Sequence, residues 1–202
     1  AFQEISDKYR LMQQAKAAGV AIPDTLFVPD GRVEEVLREI ADFPVVVKPG
    51  CSLVKDGRRW TKTSVCYAES PEELLRLYRE RAYLRQPSLI QRRVIGEGQG
   101  LFVLMQEGMP LGMFAHRRLR ERPPSGGVSV LRESIALPKA MVEATLKLLQ
   151  PVKWHGVAMV EFKVDTATQR PVLMEINGRF WGSLQLAVDA GVNFPLHLLN
   201  MA

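Results

Sequence analysis

The sequence predicts an α+β fold of two lobes, each an antiparallel sheet with packed helices, and three observations carry that expectation. Helical and strand patterns come in separate runs rather than in strict alternation, which disfavours a parallel doubly wound sheet. The apolar runs "VAMVEF" and "VLMEI" lie close together and read as an antiparallel pair. With 202 residues and 47% hydrophobic content, the chain is long enough to bury a full core, as one large domain or two lobes sharing a cleft.

Each element follows from local pattern. In "SDKYRLMQQAKAAGVAIPDT", Ser6 is the expected N-cap, Leu11, Ala15 and Ala18 recur at helical spacing, and Gly19 stops the helix. "TLFVP" reads as a short strand. "RVEEVLREIADF" predicts a second amphipathic helix, closed by Pro44 before "VVVKPG", a buried strand carrying Lys48. "CSLVKDGRRWTKTSVCYA" predicts two short strands around an Asp56-Gly57 turn. In "SPEELLRLYRERAYL", Ser70 caps a helix with Pro71 at its first position. "SLIQRRVIGEGQGLFVLMQEGMPLGMFAHRRLRE" reads as strand, glycine-rich bend, strand, turn, strand. "RPPSGGVSVLRES" is a loop entering a strand, "PKAMVEATLKLLQPV" a helix, and "GSLQLAVDAGV" the last short helix. No internal repeat or low-complexity linker interrupts the chain.

Composition narrows the function classes. Lys+Arg 27 against Asp+Glu 22 leaves a net charge of +5, a modest excess whose placement decides its meaning. No apolar run approaches the roughly 20 residues of a membrane helix, and "AFQEISDKYR" lacks the apolar core of a secretory signal. A cytoplasmic protein is expected, with no membrane partner. Cys51 and Cys66 lie in no zinc spacing and are expected to be free thiols. Neither GxGxxG nor GxxxxGK[ST] occurs, and no hydrolase triad is present as a motif.

Chemistry concentrates in "VAMVEFKVDTATQRPVLMEINGRFWGS". Strand alternation sends Glu175, Asn177 and Arg179 to one face, and pairing of the two runs brings Glu161 to them. Two carboxylates and an amide oxygen suit magnesium, which prefers oxygen ligands. Arg179 beside them suits a phosphate or a developing phosphoryl charge. "HRRLRERPPSGG" gathers His116, Arg117, Arg118, Arg120 and Arg122, with Arg118, Arg120, Arg122 and His116 expected on one positive face. Such a face grips a carboxylate or phosphate of an acceptor, and an exposed charged strand carries the same residues. Aromatics are not interleaved with it, so nucleic acid is not expected. His116 and His155 read as structural. Trp60, Trp154 and Trp181 read as packing anchors, Trp181 nearest the site.

These motifs together resemble the ATP-grasp fold of biotin carboxylase, the carbamoyl-phosphate synthetase large subunit and D-alanine ligase-like enzymes, over nearly the whole chain. The resemblance implies a nucleotide in the cleft between the lobes, with ATP and magnesium or manganese as cofactors. Lys8 and Lys48 are implied on the phosphates, Lys48 also as a catalytic residue with Arg179, which acts on the transferred group. Glu161, Glu175 and Asn177 are implied as metal ligands. "LIQRRVIGEGQG" resembles the hinge, where a backbone carbonyl and amide near Gln91, Arg93 and Val94 would read the adenine edge and Glu97 would meet ribose. The position after Glu97, where many relatives place that acid, is Gly98. Residues 1–90 are implied to form the N-terminal part of the core with the small lid lobe, and residues 91–202 the C-terminal lobe with hinge and metal strands. The family's preceding α/β domain and C-terminal extension are expected to lie outside this core.

"FAHRRLRERPPSGGVSVLRES" and "EINGRFWGSLQLAVDAGVNFP" bring the chain closest to carbamoyl-phosphate-synthase-like and carboxylate–amine ligase-like bacterial members, with Arg118, Arg120, Ser125 and Arg132 implied at the substrate. The family's phosphate-covering glycines are replaced by "GCSLVKDGRRWTKTS", whose Lys55, Arg58, Arg59 and Lys62 read either as side-chain charge in the glycines' place or as an exposed charged tip. The activity implied is ligation: a small carboxylate becomes an acylphosphate, and an amine or other nucleophile captures it. A kinase stopping at phosphoryl transfer and a non-catalytic nucleotide-sensing module are the rival readings, and homo-oligomerisation is left open.

Overall fold

The computed structural model describes residues 2–56, 59–122 and 128–201. The chain opens with two short helices, α1 (Phe2–Ser6) and α2 (Lys8–Ala17). Asp7 rather than Ser6 is the N-cap of α2, its carboxylate accepting from the Tyr9 and Arg10 amides. Asp7 has the extended backbone a cap requires, whereas Ser6 belongs to the preceding helix. Gly19 ends the helix with φ +66, a conformation that costs glycine little.

After β1 (Thr25–Val28), the helix expected over 32–43 is replaced by single 3-10 turns at Val33–Glu35 and Leu37–Glu39. The segment is short and carries the β-branched Val33, Val36 and Ile40, so a continuous helix gains little. Its apolar side chains still reach the core. β2 (Val45–Pro49) is buried at every position. β3 (Leu53–Asp56) and β4 (Arg59–Lys62) form the predicted hairpin; its turn residues Gly57 and Arg58 lie outside the described residues. Trp60 does not anchor packing, being 67% exposed on this hairpin, whereas Trp154 and Trp181 are buried. β5 (Cys66–Ala68), α3 (Pro71–Glu80) and β6 (Ser88–Arg92) follow. Ser70 caps α3 by accepting from the Glu73 amide. The first sheet is antiparallel in the order β1-β6-β2-β5. Val45, Val47 and Ile90 pack on Leu74 and Leu77 of α3.

The second lobe is a five-stranded antiparallel sheet, β11-β10-β7-β8-β9. Its strands are β7 (Gly96–Gln106), β8 (Met109–Arg122), β9 (Val128–Ile135), β10 (Gly156–Asp165) and β11 (Pro171–Asn177). "GEGQG" is no bend but the first half of β7, paired with β10 throughout. Helices α4 (Lys139–Leu149), α5 (Leu184–Asp189) and α6 (Phe194–Met201) complete the lobe. The sequence reading missed α6 because Pro195 interrupts the pattern, although proline is tolerated in a first turn.

Alternation gives the large sheet two different faces. Leu101, Val103, Ala158 and Val160 pack against Leu11 and Met12 of α2 and Leu148 and Leu149 of α4. On the other face, Phe102, Leu104 and Met159 pack on Trp181 and Phe194. That apolar cover stops where β7 carries glycine instead of side chains, and the bare half faces the first sheet. Helix α2 ties the lobes together: it packs on the large sheet while the Lys8 amide donates to Gly50 C=O at 2.7 Å, just past β2. No described helix is long and apolar enough to cross a membrane. Cys51 and Cys66 are free thiols.

Candidate active site

A cleft of about 260 Å³ opens between the sheets. Val46, Lys48, Tyr67 and Gln91 line it from the small lobe, and Arg118, Glu121, Glu161, Lys163 and Glu175 from the large one. A larger groove of about 460 Å³ beside β1 has an apolar floor, and its charged rim, Lys16, Asp24, Glu39, Asp42 and Arg92, is exposed. It brings no buried charges together.

Glu161 and Glu175 are register partners on β10 and β11. Like charges directly opposite on a strand pair repel, so positive and donor groups must hold them. Lys8 Nζ lies 3.3 Å from Glu175 Oε2, and Arg118 is paired with Glu161. Asn177 Nδ2 donates to Glu175 Oε1 at 3.0 Å and to Glu161 Oε1 at 3.5 Å. Burial and the neighbouring Glu175 charge push Glu161 up to about 7, with Arg118 opposing. Burial also pushes Glu175 up, but Lys8 and the Asn177 bond outweigh it and leave its carboxyl below the ordinary value. Lys48, on the opposite wall, is drawn down to about 8 by burial, against the pull of Glu175 and with the push of Lys8 and Lys163.

Beyond the charges the cleft becomes apolar, with Val46, Val94, Phe162 and Met174 in its walls. Gln91 is buried there, donating through Nε2 to Thr25 Oγ1 at 3.0 Å. Thr25 spends its own proton on Pro23 C=O at 2.6 Å, which fixes the Gln91 amide and leaves Oε1 buried without a donor. Lys163 Nζ donates to Val94 C=O at 3.2 Å. Arg93 is exposed, its guanidinium 5.9 Å from the Tyr67 ring centre.

Several expected residues stand elsewhere. Arg179 does not share the carboxylate face: β11 ends at Asn177, the Arg179 amide turns back to Asn177 C=O, and its exposed guanidinium donates to Phe180 C=O at 3.0 Å. Alternation no longer applies once the strand has ended. Glu97 lies on the sheet face opposite Gly98 and meets Gln99 at 2.8 Å and Arg117 at 3.8 Å, so it does not line the cleft. Among the described side chains the single positive face of the arginine cluster is not formed; the side chain of Arg122 lies outside them. Irregularities on both sides of Arg120 leave that residue exposed while turning Arg118 and Glu121 into the cleft. Arg117 is paired outside with Glu133. Arg132 pairs in register with Arg118, and Ser125 lies outside the described residues. His116 is structural as expected: buried, 3.2 Å from Ser183 Oγ, and drawn down to about 4 by burial, Arg118 and Arg132.

The sequence reading missed Glu121, Lys163 and the Arg118–Glu161 pair. Lys163 was legible, two residues from Glu161 on the same strand face. Glu121 was not, because the strand irregularities defeat simple alternation.

Among the described residues no group of three His, Cys, Asp or Glu side chains could hold a metal. The donors present are two carboxylates and the Asn177 amide, an oxygen set that fits magnesium once the amide presents Oδ1. Lys8, Arg118 and the Asn177 NH₂ group now satisfy the carboxylate oxygens that a cation would take.

This arrangement of two antiparallel sheets around a charged cleft is the ATP-grasp fold. Residues 111–202 match the family described as "ATP-grasp in the biosynthetic pathway with Ter operon". Biotin carboxylase from Campylobacter jejuni, solved with β,γ-ATP, superposes with TM-score 0.74 at 16% identity over 98% of this chain and 46% of its own. D-alanine–D-alanine ligase from Bacillus anthracis, complexed with ATP, gives TM-score 0.68 at 20% identity over 98% of this chain and 65% of its own. A RiPP-associated ATP-grasp ligase from Chryseobacterium gregarium, solved with ADP and a leader and core peptide, gives 0.71 at 17% identity over 100% of this chain and 61% of its own. The chain therefore spans less than two thirds of the length of each of these ligases. No curated protein matches it in sequence.

Proposed function

We propose that this chain is the ATP- and magnesium-dependent core of a carboxylate–amine ligase, of the carbamoyl-phosphate-synthase-like kind. The facing pair Glu161 and Glu175 carries the reading. A fold gains nothing by setting two carboxylates opposite each other in a cleft unless a cation completes the site. Glu161, Glu175 and Asn177 would hold magnesium or manganese, which when bound neutralises phosphate charge. Lys8 and Lys48 hold the phosphates from the opposite wall. Gln91 Oε1 is a buried acceptor in an apolar slot, suited to the exocyclic amino group of adenine, with Val94 and Arg93 at the rim. Residues 1–90 supply the phosphate lysines and residues 91–202 the metal strands.

In the mechanism, these residues position and neutralise. The substrate carboxylate attacks the γ-phosphoryl group, breaking its bond to the β-phosphate and releasing ADP, and an amine then displaces inorganic phosphate from the resulting acylphosphate to give the amide. Arg118 lies in the cleft, where it can orient the acceptor carboxylate. Arg179, Arg120 and Arg132 stand outside, and Arg179 would have to fold inward to meet the moving group. Support comes from the ligases that share the fold.

A mass-spectrometric screen of acid and amine pools with Mg-ATP tests this. An ATP-dependent mass gain with release of ADP and phosphate is expected. Phosphorylated product alone would make the protein a kinase, and tight ATP binding without turnover would make it a sensor.

A further inference from the structure

Arg118 reaches Glu161 across an intervening strand, by a route that a glycine keeps open. Arg118 stands on β8 and Glu161 on β10, with β7 between them. The arginine side chain crosses β7 at Gly98, where an added Cβ would lie 2.9 Å from Arg118 Cδ and 3.6 Å from Cγ. Gly98 has no positive φ, so its missing side chain gives room for this crossing and not a special backbone turn.

At the end of the route the guanidinium lies between two carboxylates. Nη2 is paired with Glu161 Oε2, and Nη1 donates to Glu121 Oε1 at 3.2 Å. All three side chains are enclosed, Arg118 and Glu161 each 17% exposed and Glu121 15%. Nε is buried with no acceptor among the described residues. Nε and Nη2 together form the edge of a guanidinium that grips a carboxylate through two parallel bonds. Here one donor of that edge is idle and the other is taken up inside the protein.

Glu161 is also one of the two opposed carboxylates assigned to magnesium. A divalent ion against Glu161 would stand beside the Arg118 charge in an enclosed site, where like charges repel strongly. Glu121 gives the arginine a second holder, so its charge stays compensated when the bond to Glu161 breaks. The opposed carboxylates in turn need the guanidinium only until a cation replaces it.

We infer that Arg118 is an exchangeable counter-ion: it holds Glu161 in the metal-free protein, yields that carboxylate to the entering cation, and then turns its Nε–Nη2 edge, anchored by Glu121, to the carboxylate of the acceptor. The inference rests on the metal site proposed above. It sets an order of assembly, cation before acceptor, because the edge that grips the acceptor is released only by the exchange.

Side-chain ¹⁵N NMR of the wild-type chain, with magnesium chloride as the probe and sodium chloride at matched ionic strength as the control, tests it. The Arg118 Nε signal, assigned by its absence from Arg118→Lys, should move with magnesium and saturate at the affinity that calorimetry gives. Sodium acetate, a bare carboxylate, should then shift this signal in the magnesium form and leave it in place in the metal-free form. In calorimetry, Arg118→Met should bind magnesium roughly tenfold or more tightly than the wild type, because the resident charge no longer competes for a carboxylate that its removal leaves uncompensated. The wild-type spectra decide alone if that variant does not fold. An Arg118 signal unmoved while magnesium binds, or a folded Arg118→Met that binds magnesium no more tightly, overturns the exchange and leaves the metal site standing. An acetate effect that is absent, or the same with and without magnesium, overturns the order of assembly. Failure of both wild type and variant to bind magnesium overturns the metal site and the exchange together.

Discussion

Replacing Lys48 with methionine should make the free protein more stable while weakening its grip on ATP. Lys48 is 9% exposed, and burial lowers its ammonium from 10.5 to about 8. At pH 7 that shift corresponds to a cost of about 3 kcal/mol for keeping the group charged in the folded state. The sign follows from proton counting. Between about pH 8 and 10.5 the unfolded chain binds more protons than the folded one, so this contribution to stability improves as pH rises through that window. Below about pH 8 the cost is fully present. Methionine keeps the length and dispersion contacts of the side chain without its charge. The variant's advantage should therefore be about 3 kcal/mol at pH 7 and shrink to about 1 kcal/mol at pH 10. Urea unfolding of both proteins followed by circular dichroism at the two pH values measures the difference, and titrations common to both chains cancel. ATP affinity should fall in the variant while adenosine affinity holds, because the proposed site assigns this charge to the phosphates. A variant less stable than wild type at pH 7, a gap that ignores pH, or equal losses for ATP and adenosine would refute the reasoning.

Glu175→Gln should abolish magnesium-dependent turnover with the fold intact, because this carboxylate sits at a strand end beside the cleft rather than in the apolar core; normal turnover would remove it from the metal set. In hydrogen exchange, the described hairpin strands Leu53–Asp56 and Arg59–Lys62 should exchange fast without nucleotide and slowly with Mg-ATP, while β2 stays slow in both. Leu53 and Trp60 stand 55% and 67% exposed, so little burial protects this hairpin in the free protein. Equal protection in the two states would leave Lys55 and Lys62 as exposed charges with no phosphate role; Arg58, assigned the same role, lies outside the described residues.

Local rules carried much of the fold. Ser70 and Pro71 started α3 as written, because a cap needs only its own first turn. The β10–β11 pairing, and with it the meeting of Glu161, Glu175 and Asn177, follows from two apolar runs and a period of two. Lys48 was readable as a lone cation in an otherwise apolar strand. Rules failed where a neighbour outside the window decided. Asp7 took the cap because α1 had already used Ser6, and residues 32–43 settled into 3-10 turns because their apolar side chains are held by the small-lobe core.

What the sequence by itself determined is the inventory: that the runs at 157–162 and 172–176 pair, that Glu161 and Glu175 meet on one face, and which family of folds those strands build. These depend on alternation and turn chemistry, which act over a few residues. Tertiary structure alone decided the partners. Arg118 became the counter-ion of Glu161, Lys8 crossed from α2 to Glu175, and Glu121 entered the space left by Gly98. Arg179, read from sequence as a fourth member of the cluster, fell outside it when β11 ended two residues early. The physical reason is that alternation fixes direction only inside a strand, whereas strand irregularities, strand ends and the docking of α2 on Gly50 are set by contacts between residues far apart in the chain.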